Sequence, residues 1–202
     1  PGDWILDYEG SHPPDDPHTP DNFTKPLCYL RKLSPVGTPV YYWSRVHHEW
    51  DLVHGEHGRR LQVNFSFIPL DLSREPVPKN PTGGGSVSPP KDLLQWHEFV
   101  NSVALHLIDR YGEATLDFLW SVGNENNFST YWNGTKDEFY EFYDVTVNAV
   151  LTAFEERGLD DERVIVGGFE AAGLGGRGWL RDALYHASGL TDQPDGEIQE
   201  TN

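Results

Sequence analysis

The stretch "LDFLWSVGNENNFSTYW", residues 116–132, decides how the chain is read. Its first half is an apolar, aromatic run, and it breaks off in "NENN", where Glu125 stands among Asn124, Asn126 and Asn127. Aromatic side chains follow at once, at Phe128 and Trp132. A buried strand has no packing use for a carboxylate at its tip. In α/β sheets, by contrast, functional residues gather beyond the carboxyl ends of the strands.

The neighbouring segments carry the same pattern. "RLQVNFSFIPL" (60–70) is β-branched and aromatic, and Pro69 closes it, which predicts a strand. "TLDFLWSV" (115–122) predicts a second strand and "RVIVGGF" (163–169) a third. Helical spacing fills the intervals: Tyr42, Val46, Trp50 and Val53 form one stripe. A helix beginning near Pro90 would bury Leu93, Trp96, Val100, Val103, Leu107 and Tyr111. Another, from about 136 to 157, aligns Phe139, Tyr143, Val147, Val150 and Phe154, with Gly158 placed to cap it. "GWLRDALYHASG" (178–189) predicts a shorter helix. Residues 1–40, rich in Pro, Asp and His, show no periodicity and read as a long loop, as does "REPVPKNPTGGGSVSPP" (74–90). Short apolar strands alternating with helices predict a parallel sheet covered by helices. Ser66 to Pro69, Asn124 with Glu125, and Phe169 with Glu170 should then share one end of that sheet.

Composition narrows the function classes. The 202 residues suffice for one domain with a sizeable core, and at 37% hydrophobic with seven Trp the chain is globular rather than disordered. No apolar run approaches the ~20 residues of a membrane span. A formal charge of −17 argues against nucleic-acid or anionic-membrane partners, which need Lys and Arg. It reads as a solvated acidic surface or, more strongly, as adaptation to salt. The single cysteine, Cys28, excludes an internal disulfide and a cysteine-built zinc site. The N-x-S/T sequons at Asn22, Asn64, Asn127 and Asn133 read mostly as chance, Asn64 lying in a predicted strand.

Two other motifs fail on spacing. "GLGGRG" (173–178) matches G-x-G-x-x-G, but "FEAA" separates it from the preceding strand, and no second strand ending in an acidic residue follows. "HHEWDLVHGEHG" (47–58) holds His47, His48, His54 and His57, yet His48 and His54 are six apart, which turns their rings to different sides of a helix. It reads as a solvated helix end, so no metal site and no cofactor are expected.

The residues around Glu125 leave two readings open. One is a strand end followed by a polar turn stabilised by asparagines. The other is glycosidic-bond chemistry. The leaving oxygen must be protonated, and a glutamic acid whose pKa is raised can do this near neutral pH. Asn124 could hydrogen-bond a sugar hydroxyl beside the reacting carbon, and Trp132 could offer a flat face to a sugar ring.

The Asn-Glu pair after an apolar strand resembles the acid/base motif at the end of the fourth strand in the glycosidase clan built on (β/α)8 barrels. Within it the chain is most similar to glycoside hydrolase family 39, which holds β-xylosidases and α-L-iduronidases. "VNFSFIP" resembles the third-strand E-x-x-F-M-P pattern of the β-xylosidase branch, and brings Phe67 to the site. "SVSPPKDLLQW", leading to "LIDRYG", resembles T-P-P-K-D-x-x-x-W and the RYG segment after it. "FYEFYDVTVNAV" and "VIVGG" resemble the next helix and the fifth strand. The resemblance makes Glu125 the general acid/base and Asn124 the partner of the sugar 2-hydroxyl, with Phe128 and Trp132 supporting or lining the site. Two flanking positions depart from the family's Trp-Asn-Glu-Pro, being Gly123 and Asn126 here, and Ser121 stands where the family has a glutamate.

What the resemblance implies is a TIM-barrel α/β chain of which residues 1–202 are an incomplete central part with about three parallel strands, 1–40 as loop and 41–190 as strand–helix units. The implied function is a retaining glycoside hydrolase for β-linked sugars, with xylosides the first guess. Its nucleophilic glutamate would lie after Asn202, since Glu170 ends the fifth strand and Glu200 follows with no further strand. With one carboxylate of the two that retention needs, these residues alone are expected to be inactive. The alternative is a carbohydrate-binding or inactive relative that keeps the barrel but not the chemistry. A carbohydrate is the expected partner in either case.

Overall fold

The computed structural model describes residues 31–33, 36–41, 43–75, 85–173 and 177–189. Most of the predicted loop over residues 1–40, Cys28, Asn22, Tyr42, Glu200 and much of both glycine-rich runs lie outside them. The described chain runs β1 (Arg31–Leu33), β2 (Pro39–Tyr41), α1 (Trp43–Trp50), β3 (Gln62–Phe65), α2 (Leu93–Tyr111), β4 (Leu119–Val122), α3 (Lys136–Glu156), β5 (Ile165–Gly168) and α4 (Arg177–Ala187).

Strands β3, β4 and β5 form one parallel sheet in that order. The register aligns Gln62, Leu119 and Ile165 in the first row and Phe65, Val122 and Gly168 in the last. All three carboxyl ends therefore coincide, as the sequence pattern requires. The order follows the chain without reversal. That is how a strand–helix barrel winds, whereas a doubly wound sheet reverses at a switch point. Alternation sends Val63, Phe65, Trp120 and Val122 into the core against the helices. The opposite face carries Gln62, Asn64, Leu119, Ser121, Ile165 and Gly167, and Ile165 there is 56% exposed. In a closed barrel that face would point inward.

The helices are fixed at their ends by the residues that the sequence places there. Asp92 caps α2 through Leu94 N and Gln95 N. Thr135 and Glu138 form a reciprocal capping box at the start of α3. Between the two helices lies an aromatic core in which Trp96 donates from Nε1 to Thr146 Oγ1 at 2.8 Å, both residues being buried. Phe99, Val100, Val103 and Leu107 of α2 face Phe142, Ala149, Val150 and Phe154 of α3 within that core.

Three local expectations are corrected. Residues 31–40, read as loop, contain most of the antiparallel hairpin β1–β2, which closes at Tyr41 and whose three-residue strands are too short to show a period. The strand expected over 115–122 begins only at Leu119. Gly112 ends α2 at φ 59, and Gly112–Asp117 form a 3-10 turn, with Thr115 Oγ1 donating to Gly112 O at 2.6 Å. Val53 is exposed rather than buried, because Asp51–Glu56 widen into a π-helical turn that shifts the stripe.

His47 of α1 also finds a structural role. His47 Nε2 lies 2.6 Å from His106 Nε2 on α2, and Trp43 stacks on His106 with ring centroids 3.7 Å apart. One of the two nitrogens must donate and the other accept, so the pair is neutral or singly charged. Burial, followed by the neighbouring His47, lowers the His106 pKa to about 4.

Two outcomes follow from these contacts. Thr146→Val keeps the volume but leaves the Trp96 indole N–H unpaired, and should lower unfolding stability in urea by about 1–3 kcal/mol. Because His106 has a folded-state pKa below its unfolded value, the unfolded state takes up more protons as the solution is acidified. Stability should thus be full above about pH 6.5 and decline as the pH falls towards 4. His106→Phe, which preserves the ring stack, should flatten the decline in urea midpoint between pH 7 and 5.

Candidate active site

The site is built where β4 ends. Gly123 N donates to Phe65 O at 3.0 Å, extending the ladder by one bond, and Asn64 Nδ2 of β3 donates to Gly123 O at 3.2 Å. The chain then turns. Gly123 has φ 82 and Glu125 φ 51, and Phe128 N closes on Glu125 O at 2.9 Å. Asn127 ties the turn to the loop after β5 like a short piece of ladder: Nδ2 donates to Ala172 O at 3.1 Å, and Oδ1 accepts from Ala172 N at 2.9 Å. Glu125 is thereby held between the carboxyl ends of β3 and β5.

Among the described residues, the non-glycine positions with positive φ are Glu125 and Phe169, φ 60. Each sits just beyond the carboxyl end of one of two adjacent strands. The left-handed conformation costs an L-residue about 1–2 kcal/mol, and such strain collects at functional sites.

Asn124 and Glu125 are both half-buried. Phe67 is buried and stacks on Tyr131, with centroids 6.1 Å apart and rings inclined by 22°. Gly85 makes room for it, since a Cβ there would lie 2.9 Å from Phe67 Cβ and 2.8 Å from Ile68 O. Phe128 is 45% exposed and open to solvent. Trp132 is placed differently from the expectation of an open sugar platform. It is 3% exposed, donates from Nε1 to Thr135 O at 2.9 Å, and packs against Phe139 and Phe142. Its place is in the core, against the start of α3. The half-buried aromatic beside Phe67 is Tyr131, which the sequence reading passed over although it stands in the same stretch.

The loops after β3 and β4 are joined. Asn133 N donates to Val87 O at 2.7 Å, and Arg74 pairs with Glu138, whose carboxylate also caps α3. Arg74 is the first cause that holds the Glu138 carboxyl below its ordinary range. On the β5 side, Gly168 allows Tyr143 to close on the strand end, as a Cβ there would meet Tyr143 Cε2 at 2.8 Å and Val122 O at 2.9 Å. Burial raises the phenol of Tyr143, and burial, then Asp182 and Asp137, push that of Tyr140 up to about 12, so both stay neutral beside Phe169. Glu170 is exposed and accepts from Gln62 Nε2 at 3.3 Å. Among the described residues, no group of three or more His, Cys, Asp or Glu is placed to hold a metal ion.

Parallel strands in chain order, helices along one face, and a strained carboxylate at the shared carboxyl edge define a segment of a (β/α)8-type barrel. The chain belongs to glycosyl hydrolases family 39, whose model matches residues 31–168. It is 35% identical over 103 residues to a β-xylosidase of Geobacillus stearothermophilus, which covers 50% of this chain and 19% of that protein. It is 33% identical over 67 residues to an α-1,4-L-rhamnosidase of Formosa agariphila, covering 33% and 14%. Among solved structures, a monomeric β-xylosidase from Caulobacter crescentus superposes with a TM-score of 0.66 at 26% identity, over 79% of this chain and 30% of that one. The chain thus spans a fifth or less of the length of these two curated relatives.

The strain at position 125 is measurable apart from any chemistry. Glu125→Gly relieves about 1–2 kcal/mol of backbone strain against about 0.5–1 kcal/mol of added chain entropy, so its urea stability should equal or exceed that of the parent. Glu125→Val, β-branched at positive φ, should lose about 1–2 kcal/mol or more.

Proposed function

We propose that this chain is the acid/base-bearing part of a catalytic barrel domain that hydrolyses β-linked glycosides by a retaining mechanism, with xylosides as first substrates. The observation that carries this reading is Glu125, held in a left-handed turn at the carboxyl end of β4 between the loops of β3 and β5. In this reading the Glu125 carboxyl protonates the departing glycosidic oxygen. In the second half-reaction it takes a proton from the water that releases the sugar. Asn124, next in the chain, would bind the hydroxyl adjacent to the reacting carbon. Phe67 and Tyr131 would form the apolar wall of the subsite, Phe128 its exposed rim, and Trp132 would brace it from within the core.

Retention needs a second carboxylate about 5 Å from the first to attack the anomeric carbon. That nucleophile is assigned to residues outside these 202, in keeping with the much greater length of the relatives. One of the similar proteins is named for rhamnoside hydrolysis, so similarity alone does not choose the sugar. The xyloside preference rests on the β-xylosidases among the relatives and the solved structures.

Proton donation is tested by leaving-group dependence in the intact protein. Glu125→Gln should slow hydrolysis of glycosides with poor leaving groups by roughly 10²-fold or more. Activated aryl glycosides, which need little protonation, should lose much less in the glycosylation step. Equal losses on both substrates would leave Glu125 a structural role only.

A further inference from the structure

The turn that carries Glu125 is filled from within by the next side chain. A Cβ built at Gly123 would lie 2.1 Å from Asn126 Oδ1, 3.0 Å from Asn126 Cγ and 2.9 Å from Phe139 Cζ. The Asn126 carboxamide therefore occupies the space that any side chain at 123 would need, wedged between the turn and α3. It is 4% exposed, and neither its Oδ1 nor its Nδ2 has a hydrogen-bond partner among the described residues. A cavity of about 10 Å³, room for about one water, borders it beside Phe139, Phe169 and Trp179.

Burying an amide without partners costs stability, so Asn126 is poorly explained as a core residue. Its position suggests another use. Gly123, at φ 82, is the most permissive residue in the turn, and a glycine hinge directly before Asn124 and Glu125 would let both side chains wander. The carboxamide lying over its α-carbon blocks that motion. These are also the two positions at which the sequence departs from the Trp-Asn-Glu-Pro pattern, and here they are in contact. The smaller residue opens a space, and the asparagine fills it.

We propose that Asn126 is a positioning residue that, paired with Gly123, locks the turn and fixes the Glu125 carboxyl for proton transfer. This rests on the reading of Glu125 as proton donor. The pair replaces the bulk of a side chain at 123 by a side chain reaching back from 126, so that Glu125 keeps its left-handed geometry although the residue two before it is glycine.

The test uses Asn126→Ala in the intact protein, beside Glu125→Gln. Displacing a catalytic group by about 1 Å costs up to about 10²-fold. Asn126→Ala should accordingly lower kcat on poor-leaving-group glycosides by about 10- to 100-fold, with KM changed by less than about threefold. Activated aryl glycosides should be spared, as with Glu125→Gln, and the urea midpoint should stay level or rise because the unpaired amide is gone. A fall in midpoint with equal losses on both substrates would overturn the proposal in favour of a purely structural role, as would unchanged kcat on poor leaving groups. Should Glu125→Gln itself show no leaving-group dependence, the underlying reading fails and the positioning role with it. A check independent of activity is the coupling of the two positions. Gly123→Ala should lower the urea midpoint less in the Asn126→Ala background than in the parent, and equal losses in both backgrounds would show that the two side chains do not share the space.

Discussion

Phe139 is the residue on which both strand-end loops close. It is fully buried one turn into α3, its ring meets Trp132 from the β4 loop and Phe169 from the β5 loop, and its Cζ borders Gly123. It also touches Trp179 of α4. Where Phe139 sits is set by the capping box of Thr135 and Glu138, which fixes the first turn of α3. A local hydrogen-bonding device at a helix start is thus transmitted through one aromatic ring to the edge where Glu125 stands. The second tie of Glu138, to Arg74, brings the β3 loop into the same assembly.

The sheet supplies the complementary constraint. Parallel register is a matter of main-chain bonding, but it has a chemical result: loops from three segments far apart in sequence are delivered to one edge. Among the described residues, helices cover one face of it, where Trp120 and Phe65 stack and Trp120 meets Phe154 edge-on. The opposite face is mixed, with Gln62 donating to Ser121 Oγ at 3.3 Å across two strands. A face of that composition suits the interior of a barrel, where side chains pack in layers and bond to one another.

Much of this could be read from the residues, and the exceptions have particular causes. Strands β3 to β5 are legible as short apolar runs, and α2 and α3 as long stripes; the N-caps at Asp92 and Thr135 come only with the structure. Residues 115–118 were misjudged because Thr115, Leu116 and Phe118 have the composition of a strand while Gly112 starts a turn that buries them without pairing. The hairpin at 31–41 was missed because strand period needs more than three residues to be seen. At the site, the sequence placed Asn124, Glu125 and Phe67 at one edge. It gave no direction for the aromatic side chains, so Trp132, which turns inward, was offered as a platform while Tyr131 beside Phe67 was overlooked. The contact between Gly123 and Asn126 was out of reach as well, since each was visible only as a departure from a pattern.

The left-handed backbone at Glu125 has a consequence for how such a chain can drift. Along α2 and α3, apolar exchanges of similar volume cost little, and many would pass selection unnoticed. At 125 the backbone itself discriminates, before any chemistry, against valine, isoleucine and threonine, and favours glycine or asparagine. A lineage freed from the need for a carboxylate would gain stability by letting this codon go, and would do so early. A glutamate at such a position stands against the slope of its own folding energy, a cost that the catalytic use proposed for Glu125 would offset.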